Sequence, residues 1–261
     1  MSKVFKIAYV VWLVIILTAW FQTKDLPEKT EINSAVYNEP IQSDATSRKD
    51  FSFAYRGKDY EVKPLADYEL WGLVVSVNNI NAWYNFYHDE NTVNLKDVCV
   101  VWGENARNGS YADKAIKFSS GEWTCYYEWF GRMQNEFYPN KLSNNHLLSD
   151  SEAVRSLIRR ANIGDQIHLQ GALVDYAEDG TDWYRKTSLS RDDVNSNSRS
   201  GGACEVFFVD DMDFLQRFHP FWNYVWQWKW RIFFFVFVIN ALWFFYGTHK
   251  EHRAAFKVIK N

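Results

Sequence analysis

Apolar residues are concentrated in two uninterrupted stretches, residues 7–21 and residues 232–246, one toward each end of the chain. A helix needs about 20 apolar residues to cross a hydrocarbon core of roughly 30 Å. Val4 and Phe5 lengthen the first stretch, because Lys6 between them and the stretch can direct its ammonium group to the membrane surface. The pattern therefore predicts two transmembrane helices with a water-soluble domain between them.

The residues around the two stretches refine this prediction. A cleaved signal peptide has a similarly short apolar region, but residues 18–22 (Thr-Ala-Trp-Phe-Gln) lack the small-x-small pattern of a cleavage site. We predict an uncleaved anchor at residues 1–22, with a cleaved signal peptide as the alternative. Ahead of the second stretch stand aromatic residues typical of the membrane interface: Phe218, Phe221, Trp222, Tyr224, Trp226, Trp228 and Trp230. We assign residues 217–247 to this belt and the second helix.

Charge distribution predicts the orientation. Lys3 and Lys6 precede the first stretch, and residues 248–261 form a basic tail after the second. Basic residues favour the cytoplasmic side of a membrane, so both termini are predicted to be cytoplasmic, in a bacterial inner membrane, with a periplasmic central domain. The chain has 29 basic and 32 acidic residues. With the basic flanks set aside, the central domain is strongly acidic, which argues against nucleic-acid binding.

The central domain has the pattern of strands with one helix. Residues 23–50 carry two prolines and no periodicity, and we predict a flexible linker there, followed by a folded domain at residues 51–216. An apolar stripe of Val154, Leu157, Ile158 and Ala161 predicts a helix at residues 150–161, capped by Ser149 or Asp150. Alternating or β-branched segments predict strands at residues 67–77, 95–102, 115–129, 166–174, 183–189 and 203–209.

This order of elements predicts the fold class. Three strands, one helix and two or three further strands are the order of an OB-like Greek-key barrel. The prediction is thus a mainly β domain with one helix, lying between two transmembrane helices. An α+β sandwich would give a similar order of elements and is the alternative.

Two of the three cysteines lie in predicted strands. Cys99 and Cys125 would be expected to pair if the domain faces an oxidising compartment. The alternative is two buried free thiols that act as small apolar side chains. We predict the disulfide, which leaves Cys204 as the remaining thiol.

A set of short motifs resembles one family of uncharacterised bacterial membrane-anchored proteins. The motifs are Asn144-Asn145-His146-Leu147, the segment at residues 164–174, Trp183, the segment at residues 187–192, and Gly202-Ala203-Cys204-Glu205. The family pattern is N-x-H-L, GD-x-V-x-L-x-G-x-L-V, SSL-[TS]-R-x-D and GACE, and residues 64–70 and 97–103 resemble its first half. The resemblance spans residues 51–210 and implies a membrane location but no activity. This chain departs from the family at Cys99 and Cys125 and in an insertion at residues 195–200.

One group of polar residues is the candidate site. It consists of Ser188, Arg191, Asp192, Cys204 and Glu205, with His146 as a possible member. Three interpretations stay open. Arg191 and Asp192 could form an ion pair that orders a loop, or Arg191 could bind a carboxylate or phosphate of a ligand. Cys204 could act as a nucleophile if a base such as His146 lies beside it and lowers its pKa.

Other chemistries find little support in the sequence. The chain contains no glycine-rich nucleotide-binding motif and no His-Glu-x-x-His sequence. His249 and His252 lie one turn apart in the basic tail, where a solvated flank is the expected role, and His168 alternates with apolar neighbours on a predicted strand. We therefore predict no metal and no cofactor.

A polar residue inside the second apolar stretch suggests a contact between helices. Asn240 lies at its middle, where an amide is costly without a hydrogen-bond partner. The partner could be the first helix, a second copy of the chain or another membrane protein. The predicted function is binding or scaffolding within an envelope complex, with the membrane and another envelope protein or a second copy as partners. The alternative is an envelope enzyme or small-ligand-binding protein that uses the candidate site.

Overall fold

The computed structural model describes residues 3–80, 93–121, 124–181, 184–190, 200–201 and 203–259. These residues form two compact units. One unit comprises Met1–Asp25 and His219–Asn261, and the other comprises Leu26–Phe218.

The regular elements are as follows. The α-helices in the described residues are α1 (Lys3–Gln22), α2 (Gly103–Asn108), α3 (Glu152–Arg160) and α4 (Pro220–Ile259). The strands in the same residues are β1 (Ile41–Gln42), β2 (Phe51–Tyr55), β3 (Lys58–Asn78), β4 (Lys96–Val101), β5 (Ile116–Ser120), β6 (Cys125–Trp129), β7 (Leu142–Leu148), β8 (Gln166–Glu178), β9 (Ser200–Gly201) and β10 (Ala203–Gln216). This architecture confirms the prediction of a mainly β domain with an apolar helix toward each end of the chain.

The first unit is a pair of apolar helices. The segment Phe5–Gln22 of α1 and the segment Pro220–His249 of α4 are each long and apolar enough to cross a membrane. The helices pack through a small apolar cluster, and the ring centroids of Trp12 and Phe233 lie 5.2 Å apart. Two apolar helices near the two ends suggest a two-span membrane protein.

Asn240 makes a polar contact within this helix pair. Its Nδ2 donates a hydrogen bond to the hydroxyl oxygen of Tyr9 on α1, at 3.4 Å. Of the three partners that the sequence left open, the structure contains the contact with the first helix. A contact with a second copy or with another membrane protein stays a prediction.

The second unit is built around a closed ring of five strands. In spatial order the ring is β3, β4, β7, β10 and β8, and β8 pairs with β3 to close it. The pair β7–β10 is parallel, and the other four pairs are antiparallel. The strands β8 and β10 approach closely at Gly171, where a Cβ atom would lie 2.0 Å from the carbonyl oxygen of Phe208. A glycine is therefore required at this point of the ring.

A smaller sheet packs beside the ring. The strands β5, β6 and β9 form it, and they cover a second apolar core that includes Leu73, Val101 and Tyr127. Residues from the segment predicted as a linker also enter this core, since Ile32 and Val36 are buried there. That segment carries short 3-10 helices at Lys29–Glu31 and Ser34–Tyr37. It therefore packs as part of the second unit.

Several predicted elements differ from the structure. The single strand predicted at residues 115–129 is a hairpin of β5 and β6, and it lies outside the ring. The third strand of the ring is β7, which was not predicted as a strand because polar residues occupy its middle. Helix α3 is capped by Ser151, whose hydroxyl accepts from the backbone N–H of Val154 at 3.4 Å, and not by Ser149 or Asp150. In the segment predicted as a strand at residues 183–189, the described residues contribute an isolated bridge between Tyr176 and Arg185.

Lys96 ties helix α3 to strand β4. Its ammonium group donates to the backbone oxygens of Arg159 and Ala161, at the C-terminal end of α3. Burial lowers the pKa of Lys96 to about 8, against the opposing effect of Asp165. The contact holds the N-terminal end of β4 in place, and the next residue of that strand, Asp97, belongs to the site described below.

Candidate active site

Three neighbouring strands of the ring place an aspartate, a histidine and a cysteine on one face. Asp97 on β4 lies opposite His146 on β7, and Cys204 on β10 lies opposite Asn144, two residues before His146. Side chains that lie opposite each other, or two residues apart along a strand, point to the same face of a sheet. The pairing of the strands therefore brings Asp97, His146 and Cys204 together, although they are far apart in sequence.

A short hydrogen bond links the first two of these residues. Nδ1 of His146 lies 2.5 Å from Oδ1 of Asp97, and both side chains are only 2 % exposed. Asn94 supports the carboxylate from the other side, because its Nδ2 donates to the same oxygen at 2.7 Å. The carboxylate thus holds a proton on Nδ1 and fixes the orientation of the imidazole ring.

The third residue completes a chain of hydrogen bonds. The thiol of Cys204 is hydrogen-bonded to the His146 ring and to the side chain of Thr124. Cys204 is partly buried, whereas His146 is buried. The sequence of contacts is carboxylate, imidazole and thiol, which is the arrangement of an activated cysteine nucleophile.

The two titrating groups shift each other in the directions that this arrangement requires. Burial and the positive charge of Arg185 act to lower the pKa of His146, but its hydrogen bonds to Asp97 and Cys204 and the charge of Asp97 raise the pKa to about 9. Burial acts to raise the pKa of Cys204, but the hydrogen bonds to His146 and Thr124, together with the positive charges of His146 and Arg185, lower it. Both shifts favour a thiolate beside an imidazolium.

The other ring nitrogen of His146 lies in a polar pocket. Nη2 of Arg185 is 2.8 Å from Nε2, and Nδ2 of Asn144 is 3.3 Å from it. Arg185 is half-buried, and its positive charge further lowers the pKa of Cys204. Asn144 is fully buried, and its Oδ1 has no hydrogen-bond partner in the described part of the chain.

The Cys99–Cys125 disulfide predicted from the sequence is present beside this site. The Cα atoms of the two cysteines are 5.9 Å apart, and both side chains are fully buried. Cys99 lies opposite Asn144, so the disulfide is on the same face of the ring as the three residues of the site. It links β4 of the ring to β6 of the smaller sheet, and Thr124 directly precedes Cys125.

The structure separates the residues that the sequence grouped together. Cys204 and His146 meet, but Glu205 points to the opposite face of β10, where its Oε1 accepts a hydrogen bond from the Tyr68 hydroxyl at 3.4 Å. The backbone N–H of Ser188 donates to the carbonyl oxygen of Cys204 at 2.9 Å, and the Ser188 hydroxyl donates to the Ser190 carbonyl at 2.9 Å. Ser188 therefore helps to hold β10. Arg191 and Asp192 lie outside the described residues.

The sequence-based candidate group lacks four residues of the site: Asp97, Arg185, Asn94 and Asn144. A signal for Asp97 did exist, because it lies two residues before Cys99 on a predicted strand and within the segment that resembles the family. Asn144 carries the same kind of signal, because it is the first residue of the Asn144–Leu147 motif of the family resemblance. Asn94 and Arg185 carry no comparable signal, since their roles depend on which parts of the chain become neighbours.

The site does not have the form of a metal centre. Asp97 contacts the Nδ1 side of the ring, so the three side chains form a line of hydrogen bonds and do not converge on one point. In the part of the chain that the structure describes, no group of three or more His, Cys, Asp or Glu residues is placed to hold a metal ion.

Comparison of the chain with protein-family models, with curated protein sequences and with solved structures finds no match.

Proposed function

We propose that this protein is a membrane-anchored enzyme of the bacterial envelope that cleaves or transfers acyl groups through a thioester on Cys204. The observation that carries the proposal is the hydrogen-bonded chain of Asp97, His146 and Cys204. A buried carboxylate that orients a histidine, with the histidine against a partly exposed thiol, is the arrangement that activates a cysteine for attack on a carbonyl. This proposal takes up the enzyme alternative from the sequence and replaces the patch around Ser188 with a different set of residues.

The proposed reaction has two steps. In the first, the Cys204 thiolate attacks the carbonyl carbon of an ester or amide, a carbon–sulfur bond forms, and the bond to the leaving oxygen or nitrogen breaks. The His146 imidazolium donates its proton to the leaving group. In the second, neutral His146 removes a proton from water or from an acceptor amine or alcohol, which attacks the thioester and releases the thiol. Asp97 keeps the ring oriented throughout, and no oxidant or reductant is required.

Features away from the site support the proposed location. A buried disulfide is stable in an oxidising compartment, which favours a periplasmic position for the domain that contains Cys99 and Cys125. The basic residues outside the two apolar helices favour cytoplasmic termini and an inner membrane. The family resemblance of the sequence implies a membrane location, and membership of that family stays a proposal.

We also propose that the ring of strands is an OB-like Greek-key barrel. Its strands follow one another in space as first, second, third, fifth and fourth, and the third and fifth are parallel. Helix α3 lies between the third and fourth strands of the ring. Both features support the proposal, since an OB-fold is a five-stranded Greek-key barrel.

One observation favours the binding or scaffolding function that the sequence predicted. Trp129 is 45 % exposed and Phe130 is 64 % exposed at the end of β6, and exposed aromatic residues are common at protein interfaces. A partner-binding surface there is compatible with an enzyme. A scaffolding function alone, however, makes a different prediction for the replacement of Cys204. A protein that acts only as a scaffold keeps its function in the variant Cys204→Ala, whereas an enzyme loses it.

The formation of an acyl-enzyme tests the proposed function. We would treat the purified full-length protein, in detergent, with p-nitrophenyl acetate and measure its intact mass and the labelled peptide. We expect one acetyl group on Cys204, because this thiol is activated and partly exposed.

Two variants complete this test. Cys204→Ala should abolish the labelling, and Ser188→Ala should retain it, because the contact of Ser188 with Cys204 is made by the backbone. Acetylation of lysines without acetylation of Cys204 would contradict the proposed function.

A further inference from the structure

The two apolar helices run antiparallel to each other. Near one end of the pair, Ala19 of α1 and Val225 of α4 belong to one apolar cluster. Farther along the pair, the Tyr9 hydroxyl of α1 accepts the hydrogen bond from Asn240 of α4. The C-terminal end of α1 therefore lies beside the N-terminal end of α4, and these two ends mark one side of the helix pair.

Two positively charged residues of α4 lie at the depth of the apolar part of α1. Lys229 and Arg231 fall inside the segment of α4 that is long and apolar enough to cross a membrane. Phe233 packs on Trp12 of α1, with the ring centroids 5.2 Å apart. The two cations precede Phe233 in the sequence by about one helical turn or less. They therefore lie beside residues 7–21 of α1, which carry no charge.

The side chains of both cations bend toward one side of the helix pair. A charge at membrane depth is costly unless it reaches the membrane surface or an anion. Nζ of Lys229 lies 3.6 Å from the centroid of the Trp226 ring and donates to the Trp226 carbonyl oxygen at 3.2 Å. The guanidinium of Arg231 lies 4.4 Å from the centroid of the Trp228 ring. Both tryptophans precede their cations in α4, so each long side chain extends toward the membrane surface at the N-terminal end of this helix.

A third cation lies on the same side of the helix pair. Lys24 follows α1, and its backbone N–H donates to the carbonyl oxygen of Phe21 at 3.0 Å. Nζ of Lys24 lies 3.9 Å from the centroid of the Trp20 ring. In the part of the chain that the structure describes, none of the three cations forms an ion pair with a carboxylate. The three cations and their rings form a basic aromatic cluster, which consists of Lys24, Lys229, Arg231, Trp20, Trp226 and Trp228.

We propose that the basic aromatic cluster binds the phosphate group of an anionic phospholipid, an inference that rests on the two-span arrangement and is independent of the reaction at Cys204. Lipid phosphates lie at the membrane surface, where tryptophans concentrate and long basic side chains extend. Ammonium and guanidinium groups are the usual phosphate-binding groups of proteins. The cations rest on the faces of aromatic rings, which holds their side chains in place before a lipid binds.

The bias of basic residues toward the cytoplasm does not account for the cluster. Lys229 and Arg231 precede the second apolar stretch, whereas the basic tail follows it. With cytoplasmic termini, the cluster lies at the periplasmic surface of the membrane, where basic residues are less frequent. A negatively charged ligand at that surface gives a reason for three cations there.

The surroundings of the cluster favour a lipid over a water-soluble anion. Arg231 is exposed, and its neighbours Trp228 and Trp230 are 37 % and 55 % exposed on the surface of the helix pair. In a membrane this surface is in contact with lipid. A phospholipid pairs its phosphate with the cations and covers the apolar side chains with its acyl chains, whereas a soluble phosphate does only the first.

Native mass spectrometry of the full-length protein in detergent tests this proposal. The measurement is the ratio of the dissociation constants of phosphatidylglycerol, which is anionic, and phosphatidylcholine, which has no net charge, with identical acyl chains. A basic residue near the membrane surface increases the affinity for an anionic lipid by about fivefold. For three such residues we expect a preference for phosphatidylglycerol on the order of 10²-fold.

Charge-removing and charge-keeping variants identify the residues responsible. We expect Lys24→Gln/Lys229→Gln/Arg231→Gln to lose the preference, and Lys24→Arg/Lys229→Arg/Arg231→Lys to keep most of it. The matched control removes the same number of lysines and arginines from exposed positions of the second unit and should leave the preference unchanged. It is the variant Lys114→Gln/Lys117→Gln/Arg132→Gln. Retention of the Cys99–Cys125 disulfide and of thermal stability verifies the fold of each variant.

Four results would overturn the proposal. The first is an unaltered protein with no preference for phosphatidylglycerol, and the second is a preference that persists when the three cations of the cluster are replaced by glutamine. The third is an equal loss in the matched control, since the effect would then reflect net charge alone. The fourth is displacement of phosphatidylglycerol by inorganic phosphate at equal concentration, which would make the soluble anion the ligand. Because the acetylation of Cys204 is measured separately, either proposal can fail without the other.

Discussion

Replacement of His146 by asparagine should lower the rate of Cys204 acetylation by about 10²–10⁴-fold, the usual contribution of a general acid–base. The effect arises at the attacking group, because the thiol loses the hydrogen-bond partner that lowers its pKa. The p-nitrophenolate leaving group departs as a stable anion and needs no proton from His146. Asp97→Asn should have an effect in the same direction, because Nδ1 of His146 then lacks the carboxylate that orients the ring and raises its pKa. The measurement is the rate of acetylation by p-nitrophenyl acetate.

The chain offers a matched control for this prediction. His168 on β8 lies 2.7 Å from Oε1 of Glu69 and forms a second histidine–carboxylate pair, stacked on the ring of Trp71. We expect His168→Asn to leave the acetylation rate within about twofold of the unaltered protein. Equal rates for His146→Asn and the unaltered protein, in a variant that keeps its disulfide and its thermal stability, would contradict the role of His146.

Removal of the disulfide should produce the largest change in stability. Cys99 and Cys125 are 26 residues apart, and the crosslink restricts the unfolded chain by an amount equivalent to about 3–4 kcal/mol for a loop of this length. We expect the double variant Cys99→Ala/Cys125→Ala to lower the free energy of unfolding of the central domain by about that much. The measurement is denaturant-induced unfolding of the full-length protein, followed by tryptophan fluorescence.

The same measurement on Cys204→Ala is the control, because that variant loses a sulfur but keeps the crosslink. A loss below about 1 kcal/mol in the double variant would show that the disulfide is not a main source of stability.

The double variant should also change the reactivity of the site. β6 carries Cys125 and follows Thr124, which is hydrogen-bonded to Cys204, so loss of the crosslink should also slow acetylation.

The periodicity of the sequence predicts most of the fold. The apolar stripe of residues 154, 157, 158 and 161 predicts α3, and segments of alternating, β-branched or aromatic residues predict the strands β4, β8 and the first part of β10. Strand β7 was not predicted, because its central residues Asn144, Asn145 and His146 are polar and yet fully or almost fully buried. His146 is hydrogen-bonded to Asp97 on the neighbouring strand, and a local sequence pattern carries no information on such a neighbour.

Only part of the site follows from the sequence, because its residues are brought together by the pairing of strands that are distant in the chain. The sequence marks Cys204 and His146 as candidates, and chemistry alone requires a base beside the thiol. Their proximity depends on the parallel pairing of β7 and β10, a contact between strands separated by more than 50 residues. The sequence places Asp97 on a predicted strand, but nothing near it in the chain indicates that its carboxylate pairs with a histidine. Glu205 was grouped with Cys204 because they are adjacent in sequence, but adjacent residues on a strand point to opposite faces.

The pH dependence of Cys204 alkylation tests the central claim most directly. The ordinary pKa of a cysteine is about 8.5, and burial alone would raise it. In the folded protein His146 stays protonated up to a pKa of about 9, so the thiolate has its cationic partner throughout the neutral range. Because the pKa of Cys204 is lowered, the thiolate is present above that lowered value and is lost only as the pH falls through it.

We would measure the rate of iodoacetamide alkylation of Cys204 in the unaltered protein and in His146→Asn. The measurements would run from about pH 5 to about pH 10 in steps of about 1 pH unit, a range that covers the ordinary pKa values of histidine and cysteine. The unaltered protein should have its midpoint below the ordinary thiol value of about 8.5, and His146→Asn should move the midpoint upward to about 8.5 or higher. A midpoint at or above 8.5 in the unaltered protein, with no change on replacement of His146, would contradict the thiolate–imidazolium pair on which the proposed function rests.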